Sequence, residues 1–125
     1  DYVYLRVPLR SRATRRACTF LVSAYWHGIH PGYYIFFSGL FMTIVTENLA
    51  KAAFGGAIRD SAAASVACHL WTMGLLTYFG AAFNLLQREP TLRLWSSLHD
   101  YGFWALAIVF LLSTCGLLFN PRVRR

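Results

Sequence analysis

The sequence predicts an all-α polytopic membrane protein with about four transmembrane helices, and three observations carry that expectation. Of the 125 residues, 57% are hydrophobic and 14% are charged, where a soluble domain has roughly 25% charged residues. The charges are unevenly placed: residues 17–46, 61–87 and 101–121 contain no Asp, Glu, Lys or Arg. Each of these stretches meets or exceeds the roughly 20 residues a helix needs to cross a bilayer. The chain also lacks the two-residue alternation of a half-buried strand. This composition argues against a soluble globular enzyme, a disordered tail and a disulfide-stapled secreted domain. Cys18, Cys68 and Cys115 form neither a Cys-x-x-Cys pair nor an even-numbered framework, so zinc and disulfide wiring are not indicated.

The net charge is +7. The densest basic group, Arg6, Arg10, Arg12, Arg15 and Arg16, runs directly into the first apolar stretch. That placement fits a basic segment at a membrane edge, with arginine reaching lipid phosphate, better than a nucleic-acid site. Membrane lipids are the expected partners, and no nucleic acid is. Basic residues divide too evenly between the two sides to orient the chain.

The first charge-free stretch is too long for one straight crossing, because 30 helical residues would run about 45 Å through a core of about 30 Å. Trp26-His27-Gly28-Ile29-His30-Pro31-Gly32 supplies the interruption. Gly28 suits a helix C-terminus at positive φ, and Pro31 suits the first turn of a new helix while disfavouring helix at His30. Helices are therefore expected over 12–27 and 31–53, with a break at Phe54-Gly55-Gly56-Ala57. A third helix is expected over 61–86, with Asp60 as its N-cap and Pro90 beyond its end. The polar connection 90–97 has room for an interfacial turn. A fourth helix is expected over 98–119, closed by Asn120-Pro121. The polar groups carried by so few helices lead us to expect the C-terminal piece of a larger polytopic protein.

Thr19, Ser23 and His27 recur at four-residue spacing on one helix face, and His30 follows just past the break. Such a stripe must meet protein or water, since unsatisfied polar groups in hydrocarbon are costly. An ionisable residue at membrane depth is a functional candidate, and His27 is the foremost one. Three readings stand beside one another. His27 ties helices together by hydrogen bonds, or it binds a metal or haem with His30, or it acts as a general base. No carboxylate or thiol stands beside the two histidines to complete a metal site. Imidazole titrates near neutrality, and burial favours the neutral form that accepts a proton. His69 and Asn84 read as helix-packing contacts, and His99 and Asp100 as interfacial residues. Glu47 and Asn48, with Thr43 one turn earlier, reach the interface or line a polar cavity. Tyr33 and Tyr34 fit either an interfacial belt or a pocket wall.

Ser23-Ala24-Tyr25-Trp26-His27-Gly28-Ile29-His30-Pro31-Gly32-Tyr33-Tyr34 resembles the histidine motif of the membrane-bound O-acyltransferase family. The Ser-Ala-x-Trp-His-Gly and Pro-Gly-Tyr-Tyr elements are similar to its lysophospholipid acyltransferase branch. Tyr25 and the His30-Pro31 pair are most similar to the members that acylate lysophosphatidylinositol. The resemblance implies a many-helix fold around a chamber within the membrane, in the endoplasmic reticulum. It implies transfer of an acyl chain from acyl-CoA to a hydroxyl, with His27 as the catalytic residue. Acyl-CoA would be a co-substrate, the lysophospholipid the acceptor, and no cofactor or metal would be needed. Thr19, Ser23, Trp26, His30, Tyr33 and Tyr34 would line the substrate path and its walls. The family's second catalytic residue, usually an upstream asparagine, has no counterpart here, so this segment alone is not expected to catalyse. Competing readings change the acceptor to a sterol, a diacylglycerol or a protein, or make the chain a non-catalytic transmembrane subunit.

Overall fold

The computed structural model describes residues 11–119, and the side chains of all of these except 57–60. Arg6 and Arg10 of the basic group, the Asn120-Pro121 stop and the terminal arginines lie outside the described residues. Five helices follow one another: α1 Arg12–His27, α2 Pro31–Asp60, α3 Ala62–Leu85, α4 Arg88–Ser97 and α5 Tyr101–Phe119.

The first break falls where the sequence places it. Gly28 ends α1 at φ 134°, and its N–H donates to the carbonyls of Ala24 and Tyr25. His30 is extended, as a residue before proline prefers to be, and Pro31 opens α2. The expected break at residues 54–57 is absent, and α2 continues to Asp60. Two central glycines weaken a helix by about 1 kcal/mol each, but glycine ends a helix only where it leaves the helical conformation, and Gly55 and Gly56 keep it. Gly28 is the one positive-φ glycine among the described residues, and no proline follows Pro31 before Pro90. Ser61, rather than Asp60, caps α3: it is extended, and its hydroxyl accepts from the Ala64 N–H. Asp60 is still helical and its side chain lies outside the described residues. The 90–97 connection, expected to hold at most a turn, belongs to the ten-residue helix α4. The fourth expected helix starts later, at Tyr101, because His99 and Asp100 turn the chain at positive φ.

Two of these helices, α3 and α5, are long and apolar enough on their own to cross a membrane. The expectation of about four crossings is not reached on that measure. The 16 residues of α1 extend about 24 Å, short of a hydrocarbon core of about 30 Å. The longer α2 carries Glu47, Lys51, Arg59 and Asp60 in its second half.

Central α2 packs against α1, α3 and α5. The close joints place the directions of the helices. The Gly32 N–H donates to the Leu86 carbonyl at 2.8 Å, so the start of α2 meets the end of α3 and the two are antiparallel. Tyr34, Gly39 and Met42 share a groove with Phe103 and Leu106, while Ala53 and Phe54 lie against Gly116; α2 and α5 therefore run parallel. The core consists of Leu75, Tyr78, Phe79 and Ala82 of α3 with Trp95 and Leu106. Trp95 anchors α4 on α3: its indole stacks on the Tyr78 ring at 5.0 Å and its Nε1 donates to the Tyr78 carbonyl at 3.2 Å. This anchor and the Gly32–Leu86 bond gather the end of α1, the start of α2, the end of α3 and all of α4 at one end of the bundle.

Candidate active site

That end of the bundle carries the histidine motif. His27 is the last residue of α1, so its orientation follows from where α1 stops. The Gly28 cap and the three-residue break fold α1 back along α2. Ala24 becomes fully buried in the joint, and Phe20 meets Phe37 and Phe41 at 6.2 Å. One turn further on, the imidazole reaches the first turns of α2. Its centroid lies 5.5 Å from Tyr33 and 5.5 Å from Phe37, the latter stacked at 29°. From α3, Phe83 stands edge-to-face at 5.2 Å. His27 remains exposed, so the rings clasp it without closing it off.

The other residues singled out from the sequence divide into two groups. Tyr33 joins His27 directly, and His30 reaches Tyr33 at 6.2 Å between ring centroids. Thr19 and Ser23 keep their places two turns and one turn behind His27 on α1. The Thr19 hydroxyl donates to the Arg15 carbonyl at 2.9 Å, which satisfies it within its own helix and leaves its lone pairs for an incoming donor. Trp26 is 87% exposed and belongs to none of the ring contacts around His27. Tyr34 turns to the apolar grooves instead, lining one of about 220 Å³ with Phe20, Leu21 and Phe41 and another of about 480 Å³ with Phe79 and Phe103.

Three residues at this site escaped sequence reasoning. Phe37 lies ten positions beyond His27 and Phe83 fifty-six, and both read as ordinary apolar residues of membrane helices. Gly32 was visible only as a member of the motif, and its close approach to α3 was not legible. A Cβ there would strike the backbone of Ala82 and Leu86, so only glycine lets the motif sit this close to α3.

Chemically, an exposed imidazole held among aromatic rings can exchange a proton with a hydroxyl while its ring stays fixed. Its neighbours are apolar and aromatic, which suits hydrocarbon-bearing substrates better than small polar ones.

Comparison with known proteins agrees with that character. The model of the membrane-bound O-acyltransferase family matches residues 1–73. The chain is 35% identical over 101 residues to the human membrane-bound acylglycerophosphatidylinositol O-acyltransferase MBOAT7, covering 79% of this chain and 21% of that protein. The Xenopus laevis protein of the same name is 36% identical over 125 residues, covering 98% of this chain and 26% of its own length. The mouse membrane-bound glycerophospholipid O-acyltransferase 1 is 35% identical over 111 residues, covering 82% of this chain and 21% of its own length. The chain thus spans between a fifth and about a quarter of the length of these relatives.

Proposed function

This chain belongs to the membrane-bound O-acyltransferase family, and from that premise we propose that it supplies the histidine-bearing part of an enzyme that acylates lysophospholipids. The acyl donor is acyl-CoA and the acceptor is the free glycerol hydroxyl, with lysophosphatidylinositol the first head group to test. The enzyme is a multi-pass membrane protein of the endoplasmic reticulum, in which α1 and α2 complete about four crossings once the remaining helices surround them. The observation that carries the reading is the placement of His27: at the end of a broken helix, exposed, and clasped by Tyr33, Phe37 and Phe83.

The steps balance on this one residue. A ring nitrogen of His27 accepts the proton of the glycerol hydroxyl as the oxygen attacks the thioester carbonyl carbon. The C–S bond of the tetrahedral intermediate then breaks, and the departing sulfur of CoA takes the proton back from the imidazolium. No acyl-enzyme forms. No metal or cofactor takes part. His30 and Tyr33 bound the approach to His27, with Thr19 and Ser23 behind it. Tyr34 and Trp26 line the apolar walls further out. Holding two long-chain substrates in one chamber supplies much of the rate by converting an encounter into a local reaction.

The test is acyl transfer by the full-length protein in membranes, with a labelled polyunsaturated acyl-CoA and a panel of lysophospholipid head groups. His27→Ala is expected to lower the rate about 10²–10⁴-fold, the usual contribution of a general base, with the protein level unchanged. A variant that keeps more than about a tenth of the rate removes His27 from that role. Transfer to a sterol, diacylglycerol or protein, and to no lysophospholipid, replaces the proposed acceptor.

A further inference from the structure

We infer that Phe37, Phe83 and Tyr33 are positioning residues that stabilise the positive charge His27 acquires during transfer, in the place a carboxylate takes beside other catalytic histidines. The inference rests on the general-base reading and adds to it the groups that make such a base workable in an apolar site.

A histidine that accepts a proton becomes a cation, and a cation away from water is costly unless something faces it. Catalytic triads meet this need with a buried aspartate hydrogen-bonded to the imidazole. Among the described carboxylate side chains, Glu47 pairs with Lys51 along α2 and Glu89 with Arg93 along α4, while Asp100 sits in the turn between α4 and α5. Among the described residues none forms an ion pair with His27. Three π-systems lie against it instead, at 5.5, 5.5 and 5.2 Å between centroids. These distances fall within the roughly 6 Å over which the face of a ring attracts a cation, and Phe37, stacked on the imidazole at 29°, presents that face.

The rings are also braced. Phe83 contacts Tyr33 at 4.9 Å and Phe36 at 5.2 Å, and Phe36 contacts Phe37 at 5.0 Å. A ring in this cluster cannot swing away without displacing a neighbour. The rings around the imidazole are therefore in place before the proton arrives, which is the condition for an electrostatic contribution that needs no reorganisation.

Fluorination separates this role from packing, because fluorine withdraws the negative face of a phenyl ring with little change in its shape. Phenylalanines carrying one, three and five fluorines are introduced singly at positions 83 and 37 of the full-length protein, and at Phe54, which lies against Gly116 away from the histidine, as a comparison. At 83 and 37, kcat is expected to fall stepwise with fluorine number, by about 3–30-fold at the most fluorinated ring, with KM for both substrates unchanged. The Phe54 series is expected to stay flat. A flat series at both 83 and 37, or an equal fall at Phe54, overturns the inference. His27→Ala runs alongside: if it is inactive and the series is flat, only the aromatic clasp is wrong, whereas if it stays active the general-base reading and the clasp both fall. Phe83→Leu and Phe83→Tyr give a second measure, with loss of kcat expected in the first and recovery in the second; equal kcat in the two also overturns the inference.

Discussion

Gly28 holds a backbone conformation, φ 134° and ψ −176°, that is essentially reserved for glycine. Gly28→Ala is therefore expected to cost about 1–3 kcal/mol, seen as a lower thermal midpoint of the detergent-purified full-length protein; an unchanged midpoint would show that the break takes another form. Gly32 is constrained for a different reason. Its φ is ordinary, but the space for a Cβ is taken by the backbone of Ala82 and Leu86. Gly32→Ala is expected to destabilise by about 1–3 kcal/mol, as overpacking does, and to lower acyl transfer by moving the motif off α3. Of the two glycines, only Gly28 was legible from sequence. Its role depends on its immediate neighbours, a helix before and a proline after, whereas the role of Gly32 depends on Leu86, which no local pattern connects to it. The same contrast holds for the ring neighbours of His27: Tyr33 was named from the motif, and Phe83 could not be.

At the scale of the elements, the breaks containing proline were legible, whereas the glycine-only break expected at residues 54–57 is absent. Pro31 and Pro90 stand in the first turns of α2 and α4, because a ring-locked φ and a missing N–H act on the chain whatever surrounds it. Gly55 and Gly56 weaken α2 without ending it, since helical glycine is unfavourable but allowed. Both have open space where a Cβ would stand. Gly55→Ala with Gly56→Ala is accordingly expected to raise stability by about 1 kcal/mol per site, measured as an increased thermal midpoint; a decrease would mean that α2 bends there after all. The amphipathic α4 was legible only as a polar connection. Its buried face consists of Thr91 and Trp95 alone, too few residues to produce a recognisable apolar period in sequence.

For the molecule as a whole, the class of the protein was legible and the arrangement of its helices was not. Charge-free stretches reveal that helices are apolar, but in a membrane protein they do so on every side, and the faces that meet are chosen by shape. Small residues make those choices here: Gly39 receives the Phe79 ring, Gly102 the Tyr78 ring and Gly116 the Phe54 ring. Trp95 then closes the α3–α4 joint at 2% exposure. Trp95→Ala is expected to cost about 3–5 kcal/mol, as truncation of a buried aromatic does, and to reduce the yield of folded protein more than His27→Ala does. Equal yields of the two variants would show that α4 is not needed to hold this end together.

The Gly32–Leu86 bond has a consequence for how the chain tolerates changes in length. Adding one residue to α3 between Phe79 and Phe83 would rotate everything beyond it by about 100° around the helix axis. Phe83 would leave His27 and Leu86 would leave Gly32 in the same step. Insertions and deletions should therefore be rejected in the last two turns of α3, although no substrate need touch them. They should be accepted at the 98–100 turn, where neither register is at stake.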